Sequence, residues 1–295
     1  MESISTVAVD GAQLVYHRIG GGRPLLVLNG FGATSADWDP SFIDRLASSN
    51  ELILLNNRGI GGSTDDGQPF DIAKLADDAA RVIEALGFEH VSLLGWSMGG
   101  FIAQTLAVQH RARVDKLVLL STDPGGIEAD LAAPDVWSKL IDTSGTPNEQ
   151  AHRLLFLLFP NDVAESFYQQ FGDMVAAARA QLPVELLNRQ AAAMDAWHRN
   201  GVASQLREIR VPVLIATGTE DIVIPASNAL KLVNAIPGAW LAQFPHGGHA
   251  FVAQYPRALA DLINSFLAVD RSVLPPGLTN VRRRRSIAGP FPWCF

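Results

Sequence analysis

The stretch that most constrains this chain is residues 91–100. Strand-forming Val91-Ser92-Leu93-Leu94 runs into Gly95-Trp96-Ser97-Met98-Gly99-Gly100, and Phe101, Ile102, Leu106 and Ala107 then recur at helical spacing. This predicts a strand, a sharp turn with a serine at its apex, and a helix. A turn this tight puts the serine in a left-handed backbone conformation and requires glycine two residues to either side, at Gly95 and Gly99. It also sets Ser97 at a helix N-terminus, where unbonded N–H groups and the dipole favour developing negative charge. Taken alone, the G-x-S-x-G spacing arises by chance in roughly one chain of this length in ten. Its meaning therefore depends on what else the chain supplies.

The flanking sequence repeats the strand–helix alternation. Residues 4–10 and 13–19 are β-rich and separated by Asp10-Gly11, a hairpin signal. Residues 24–28, 51–55 and 116–120 are short apolar runs of the kind buried on both faces of a parallel sheet. Ser35 is a candidate cap for a helix through roughly Leu46, and Asp71 for one closed by Gly87. The pattern resumes at 211–216, with a last strand at 240–244 and a last helix at 256–269. Between residues 125 and 207 it changes to helices rich in large apolar side chains. The expected fold is α/β with a mostly parallel sheet. Residues 1–124 and 208–269 form its core, 125–207 a helical insertion covering the sheet's C-terminal edge, and 270–295 a disordered tail holding Arg282–Arg285.

Hydrophobic residues make up 48% of the 295, and the formal net charge is −7. That balance argues against nucleic acid or an anionic membrane as partner. The one cysteine, Cys294, excludes an intrachain disulfide. Residues 1–5 lack a signal-peptide pattern, and the longest wholly apolar run, residues 154–159, is too short for a membrane span. The expected location is cytoplasmic.

A serine hydroxyl needs a base within reach, and in an α/β sheet reactive groups gather in loops at the strands' C-terminal ends. Of seven histidines only His246 and His249 follow a late strand, and His249 lies in the permissive run Gly247-Gly248-His249-Ala250. His249 is the candidate base and His246 the alternative. No third ligand accompanies the two, so no metal site is expected. The orienting acid is Asp221 in Gly218-Thr219-Glu220-Asp221, with Glu220 a weaker candidate and Asp123, after the 116–120 strand, the rival. For the oxyanion, the backbone N–H groups of Met98 and of Phe31, between Gly30 and Gly32, are the candidate donors.

These pieces resemble the α/β-hydrolase family, in family order: Asn29-Gly30-Phe31-Gly32, Arg58-Gly59-Ile60-Gly61-Gly62-Ser63, the Ser97 turn, Gly218–Asp221 with Pro225, and Gly248-His249. The likeness is to its serine-nucleophile, esterase- or lactonase-like branch, and it implies that the insertion shapes an acyl pocket. Two positions depart from the family pattern: Asn29 stands where histidine is usual, and Asn56 where aspartate is usual. Neither performs the chemistry. The serine nucleophile argues against dehalogenase and epoxide hydrolase. The expected activity is hydrolysis of short to medium apolar acyl esters or lactones, without cofactor. C–C bond hydrolysis, cofactor-free perhydrolysis and a small-molecule receptor with little turnover are the alternatives. Trp137, Phe159 and Phe167 are candidates for the pocket wall. The expected partner is a small-molecule ester or lactone, with a homodimer left open.

Overall fold

The computed structural model describes residues 3–269; the tail expected at 270–295 lies outside them. Eight strands form one sheet: β1 (Ser3–Val9), β2 (Ala12–Gly20), β3 (Arg23–Leu28), β4 (Asn50–Leu55), β5 (Val91–Trp96), β6 (Val114–Leu120), β7 (Val213–Gly218) and β8 (Trp240–Phe244). Their order is β1-β2-β4-β3-β5-β6-β7-β8. The β1–β2 hairpin and the β2–β4 pair are antiparallel, and every later pairing is parallel.

The apolar runs form central strands because both faces are covered. Leu26, Leu28, Ile53 and Leu55 point into one core with α2 (Ile72–Ala85), α3 (Met98–Gln109) and α8 (Ser227–Ala235). Their alternate neighbours Leu25, Val27, Leu52 and Leu54 point into a second core with α1 (Pro40–Ala47), α9 (Phe251–Gln254) and α10 (Pro256–Ala268). This two-residue alternation with both sides buried is what a doubly covered parallel sheet demands. Arg58 is fully buried and holds α2 through a bidentate pair with Asp78, Nε–Oδ2 2.6 Å and Nη2–Oδ1 2.8 Å. That accounts structurally for the arginine loop.

The stretch between β6 and β7 folds into α4 (Pro134–Ile141), α5 (Pro147–Leu158), α6 (Asn161–Arg179) and α7 (Val184–Asn200). Val136, Leu157, Met194 and Trp197 from these helices join the first core, so the insertion is packed on the sheet domain rather than tethered to it.

One boundary differs from expectation. The helix expected from Ser35 is split in two. Thr34 caps a single 3-10 turn over Ser35–Asp37, and α1 begins at Pro40 with Asp39 as its cap, the Asp39 carboxylate accepting from Phe42 N at 3.0 Å. Proline lacks the N–H a continuing helix needs, so a helix cannot run through position 40 from so close upstream.

Candidate active site

The turn between β5 and α3 has the predicted strain. Ser97 has φ 56° and ψ −123°, a conformation that costs of order 1–3 kcal/mol and persists only if its surroundings impose it. They do so through hydrogen bonds. Ser97 N donates to Leu120 O of β6 at 2.9 Å, and Ser97 O accepts from Gly100 N at 2.8 Å and Thr122 Oγ1 at 3.1 Å. The two glycines are required because the backbone leaves no room for a side chain. A Cβ on Gly95 would lie 2.2 Å from Gly99 O, and one on Gly99 would lie 2.1 Å from Leu28 O at the end of β3. The turn is thus wedged against the neighbouring strand.

His249 lies in the loop after β8, and Asp221 in the loop after β7. His249 Nδ1 is 2.8 Å from Asp221 Oδ2, and both side chains are buried. Asp221 Oδ1 accepts from Val223 N at 2.9 Å and Ile224 N at 2.8 Å, which fixes the carboxylate. A carboxylate can only accept, so a neutral His249 must carry its proton on Nδ1 and leave Nε2 with a free lone pair. Trp96, the residue before Ser97, locks this loop to the turn. Its Nε1 donates to His249 O at 3.0 Å, and its ring lies 5.5 Å from the imidazole.

The loop after β3 approaches the serine from the other side. A Cβ on Gly30 would meet Ser97 Cβ at 3.3 Å. Ala33 N bonds Gly30 O at 3.3 Å, closing a turn with Phe31 and Gly32 at its corners and the Phe31 N–H outside that bond. Met98 is the first residue of α3, so its N–H has no carbonyl within the helix. Asn29, the residue that departs from the family pattern, is fully buried and bonded at both ends: Nδ2 donates to Leu55 O at 2.8 Å, and Oδ1 accepts from Trp38 Nε1 at 2.7 Å. Asn56, the other departure, ties Gly61 O at 2.8 Å to Ser35 N at 2.7 Å.

The rival acid is committed elsewhere. Asp123 Oδ1 accepts from Gly125 N at 2.8 Å and from Trp197 Nε1 of α7 at 2.9 Å, and its Oδ2 is 3.4 Å from His198 Nε2. It joins the insertion to the core. His246 is exposed, with Nδ1 2.9 Å from Glu220 Oε1 and Nε2 3.0 Å from Asp162 Oδ2, and these two carboxylates raise its pKa above the ordinary value. Among the described residues no cluster of His, Cys, Asp and Glu is arranged to hold a metal.

Of the three aromatics expected on the pocket wall, two lie close to this site. Phe159 is buried and stacked on Phe167 at 4.3 Å, in a cluster that includes Ala250 and has Trp96 packed against it. Trp137 instead packs edge-on against His198 at 5.4 Å, beside the Asp123 cluster. A cleft of about 610 Å³ opens between α5 and α6, lined by Asn148, His152, Arg153 and Tyr168 among others, and none of its lining residues belongs to the Ser97 turn.

Gln190 has no counterpart in the sequence reading. It is fully buried in α7, and its Oε1 accepts from Gly32 N at 2.8 Å, so the insertion itself holds the loop beside Ser97. One polar residue in an amphipathic helix carries no signal of such a contact.

The arrangement defines a class: an α/β sheet protein with a strained serine turn and a buried His–Asp pair at one edge. A family model for the alpha/beta hydrolase fold matches residues 23–254, and the chain belongs to the α/β-hydrolase family. It is 31% identical over 261 residues, covering 86% of this chain and 95% of the other, to the candidate carbamate hydrolase RutD of Azorhizobium caulinodans. Among solved structures, a hydrolase from Pseudomonas aeruginosa PA01 superposes with TM-score 0.77 at 26% identity, covering 90% of this chain and 98% of that one. The enol-lactonase from Burkholderia xenovorans LB400 shares the fold, with TM-score 0.79 at 22% identity, covering 90% of this chain and 100% of that one. Among the described residues no helix is long and apolar enough to cross a membrane.

Proposed function

We propose that this protein is a serine hydrolase that cleaves carboxylic esters, with short to medium apolar acyl esters or lactones as its substrates. The observation that carries this reading is the buried Asp221–His249 pair, 2.8 Å apart, locked by Trp96 to the turn that presents Ser97. His249 Nε2 takes the hydroxyl proton as Ser97 Oγ attacks the carbonyl, and Asp221 stabilises the resulting imidazolium. The N–H groups of Met98 and Phe31 receive the oxyanion. His249 then gives its proton to the departing alkoxide, which leaves an acyl-enzyme. Water, deprotonated by His249, releases the acid.

A second reading is supported by the relatives named as candidate carbamate hydrolases. A carbamate carbonyl meets the same nucleophile and the same donors. It is less electrophilic, because the nitrogen lone pair delocalises into it.

The test compares wild type with Ser97→Ala on p-nitrophenyl acetate, p-nitrophenyl butyrate and an aryl carbamate. Rapid ester turnover is expected, falling by orders of magnitude in the variant, and an organophosphonate should label Ser97. A variant that keeps more than about a tenth of wild-type kcat would remove Ser97 as nucleophile. Faster turnover of the carbamate than of either ester would replace the ester reading with the carbamate one. Tight ligand binding with almost no turnover of any substrate would make the protein a receptor.

A further inference from the structure

Beside the Ser97 site lies a cation that makes no ion pair among the described residues. Arg179, the last residue of α6, is half-buried. Its Nε is buried and has no hydrogen-bond partner, and the guanidinium makes no ion pair among the described residues. Its Nη1 lies 3.3 Å from where a Cβ on Gly32 would stand, in company with Leu187 and Leu182. Asp37 is the acidic residue whose field reaches it, and its carboxylate is already engaged by Thr34 N at 2.6 Å and Thr34 Oγ1 at 2.9 Å. Arg153, the other neighbouring charge, has the same sign and is 3.4 Å from Asp142 Oδ2. Burial, with Arg153, holds the Arg179 pKa below the ordinary guanidinium value.

A second orphan lies at the same place. Gln190 is fully buried, its Oε1 accepts from Gly32 N, and its Nε2 has no partner. Two side chains from two helices of the insertion, each carrying a donor without a partner, therefore meet at one glycine. Buried polar groups without partners are costly, and more so when charged. Two around one residue of an active-site loop point to a ligand that supplies the acceptors. Gly32 is two residues from Gly30, where a Cβ would stand 3.3 Å from Ser97 Cβ, so the Cα atoms of the two glycines are at most about 7 Å apart.

We propose that Arg179 and Gln190 form the anion-recognition end of the substrate site, and that the substrate carries a carboxylate a few atoms from the carbonyl that Ser97 attacks. A planar carboxylate matches the guanidinium fork, and one neighbouring amide suits a monoanion. Leu182 and Leu187, beside Gly32, then pack against a short methylene spacer, as in the half-ester of a dicarboxylic acid. This rests on the ester-hydrolase reading and narrows its substrate class.

The test uses two ethyl esters of one shape and different charge, monoethyl glutarate and ethyl glutaramate, with ethanol release measured at constant pH. Wild type is expected to favour the anionic ester in kcat/KM by ten- to hundredfold, mainly through KM, as befits a charge-assisted hydrogen bond. In Arg179→Gln the ratio of the two kcat/KM values should fall at least tenfold, and Arg179→Lys should restore part of it. No preference in wild type would overturn the proposal, as would equal loss of both activities in Arg179→Gln. If neither ester is hydrolysed, the ester-hydrolase reading fails, but the anion site is still measured by titrating wild type and Arg179→Gln with glutarate in a calorimeter. Binding weakened tenfold or more in the variant supports the site. Equal binding, or none to wild type, refutes it.

Discussion

Replacing Asp221 with asparagine tests the proposed chemistry through the hydrogen bonds around one carboxylate. Oδ1 accepts from two backbone N–H groups, Val223 and Ile224, and Oδ2 faces His249 Nδ1. The asparagine has one oxygen and one NH₂ to place. With the oxygen toward the backbone, both main-chain bonds survive and the NH₂ confronts His249 Nδ1. The imidazole must then turn that nitrogen into an acceptor and carry its proton on Nε2, where it can no longer deprotonate Ser97. With the amide reversed, His249 keeps its tautomer but two buried N–H groups face a donor, at about 1–3 kcal/mol each. The first orientation is therefore favoured by roughly 2–6 kcal/mol. The wrong-tautomer effect in a serine triad is worth about ten-thousandfold in kcat, or about 5–6 kcal/mol in the barrier. Asp221→Asn should accordingly lose about four orders of magnitude in kcat on p-nitrophenyl butyrate, with a melting temperature within a few degrees of wild type. Stopped-flow kinetics and calorimetry give the two numbers. A kcat within tenfold of wild type at an unchanged melting temperature would refute the role of Asp221 as the orienting acid.

Two further outcomes are expected. Asp123→Asn keeps the acceptor for Gly125 N and Trp197 Nε1 and loses only the charge beside His198. It should lower stability by about 1–3 kcal/mol, a few degrees in a thermal melt, and change kcat/KM less than tenfold; a larger kinetic effect than that of Asp221→Asn would move the acid to this loop. Phe167→Ala, which opens a half-buried wall beside Phe159, should change the ratio of octanoate to acetate ester turnover, by at most a few hundredfold; equal loss of both activities would assign Phe167 to packing alone.

Much of the fold was legible because it rests on local chemistry. Runs such as Leu25-Leu26-Val27-Leu28 are apolar on both faces, and Asp71 and Gly87 bracket α2, as expected of its caps. The Ser97 turn was legible for the same reason: its strain demands a glycine pattern that few other structures need. The clash avoided at Gly99 was not legible, since it is with β3, which lies far away in sequence. The pairing of His249 with Asp221 rather than Asp123 was only a preference, because both acids follow parallel strands. What separates them is that Trp197, 74 residues further on, claims Asp123. Gln190 and Arg179 left no trace for a similar reason. Each sits in an amphipathic helix where a polar residue is ordinary, and only the docking of α6 and α7 on the Gly30–Gly32 turn makes them exceptional.

That docking bears on how the labour is divided. The expectation that the insertion shapes an acyl pocket sets it apart from the core loops, but the hydrogen bonds join them. Gly32 N of the candidate oxyanion loop is held by Gln190 of α7, Ala250 N beside His249 is held by Leu158 O at the end of α5, and Asp123 after β6 is held by Trp197. Each contact fixes a core loop next to Ser97 or His249 by means of an insertion helix. A site of this kind tolerates misplacement of only about half an ångström before catalysis suffers. Under the proposed mechanism the insertion is therefore part of what positions the reacting groups. A change that loosens α7 should slow every substrate, whereas a change confined to the wall at Phe167 should only reorder them.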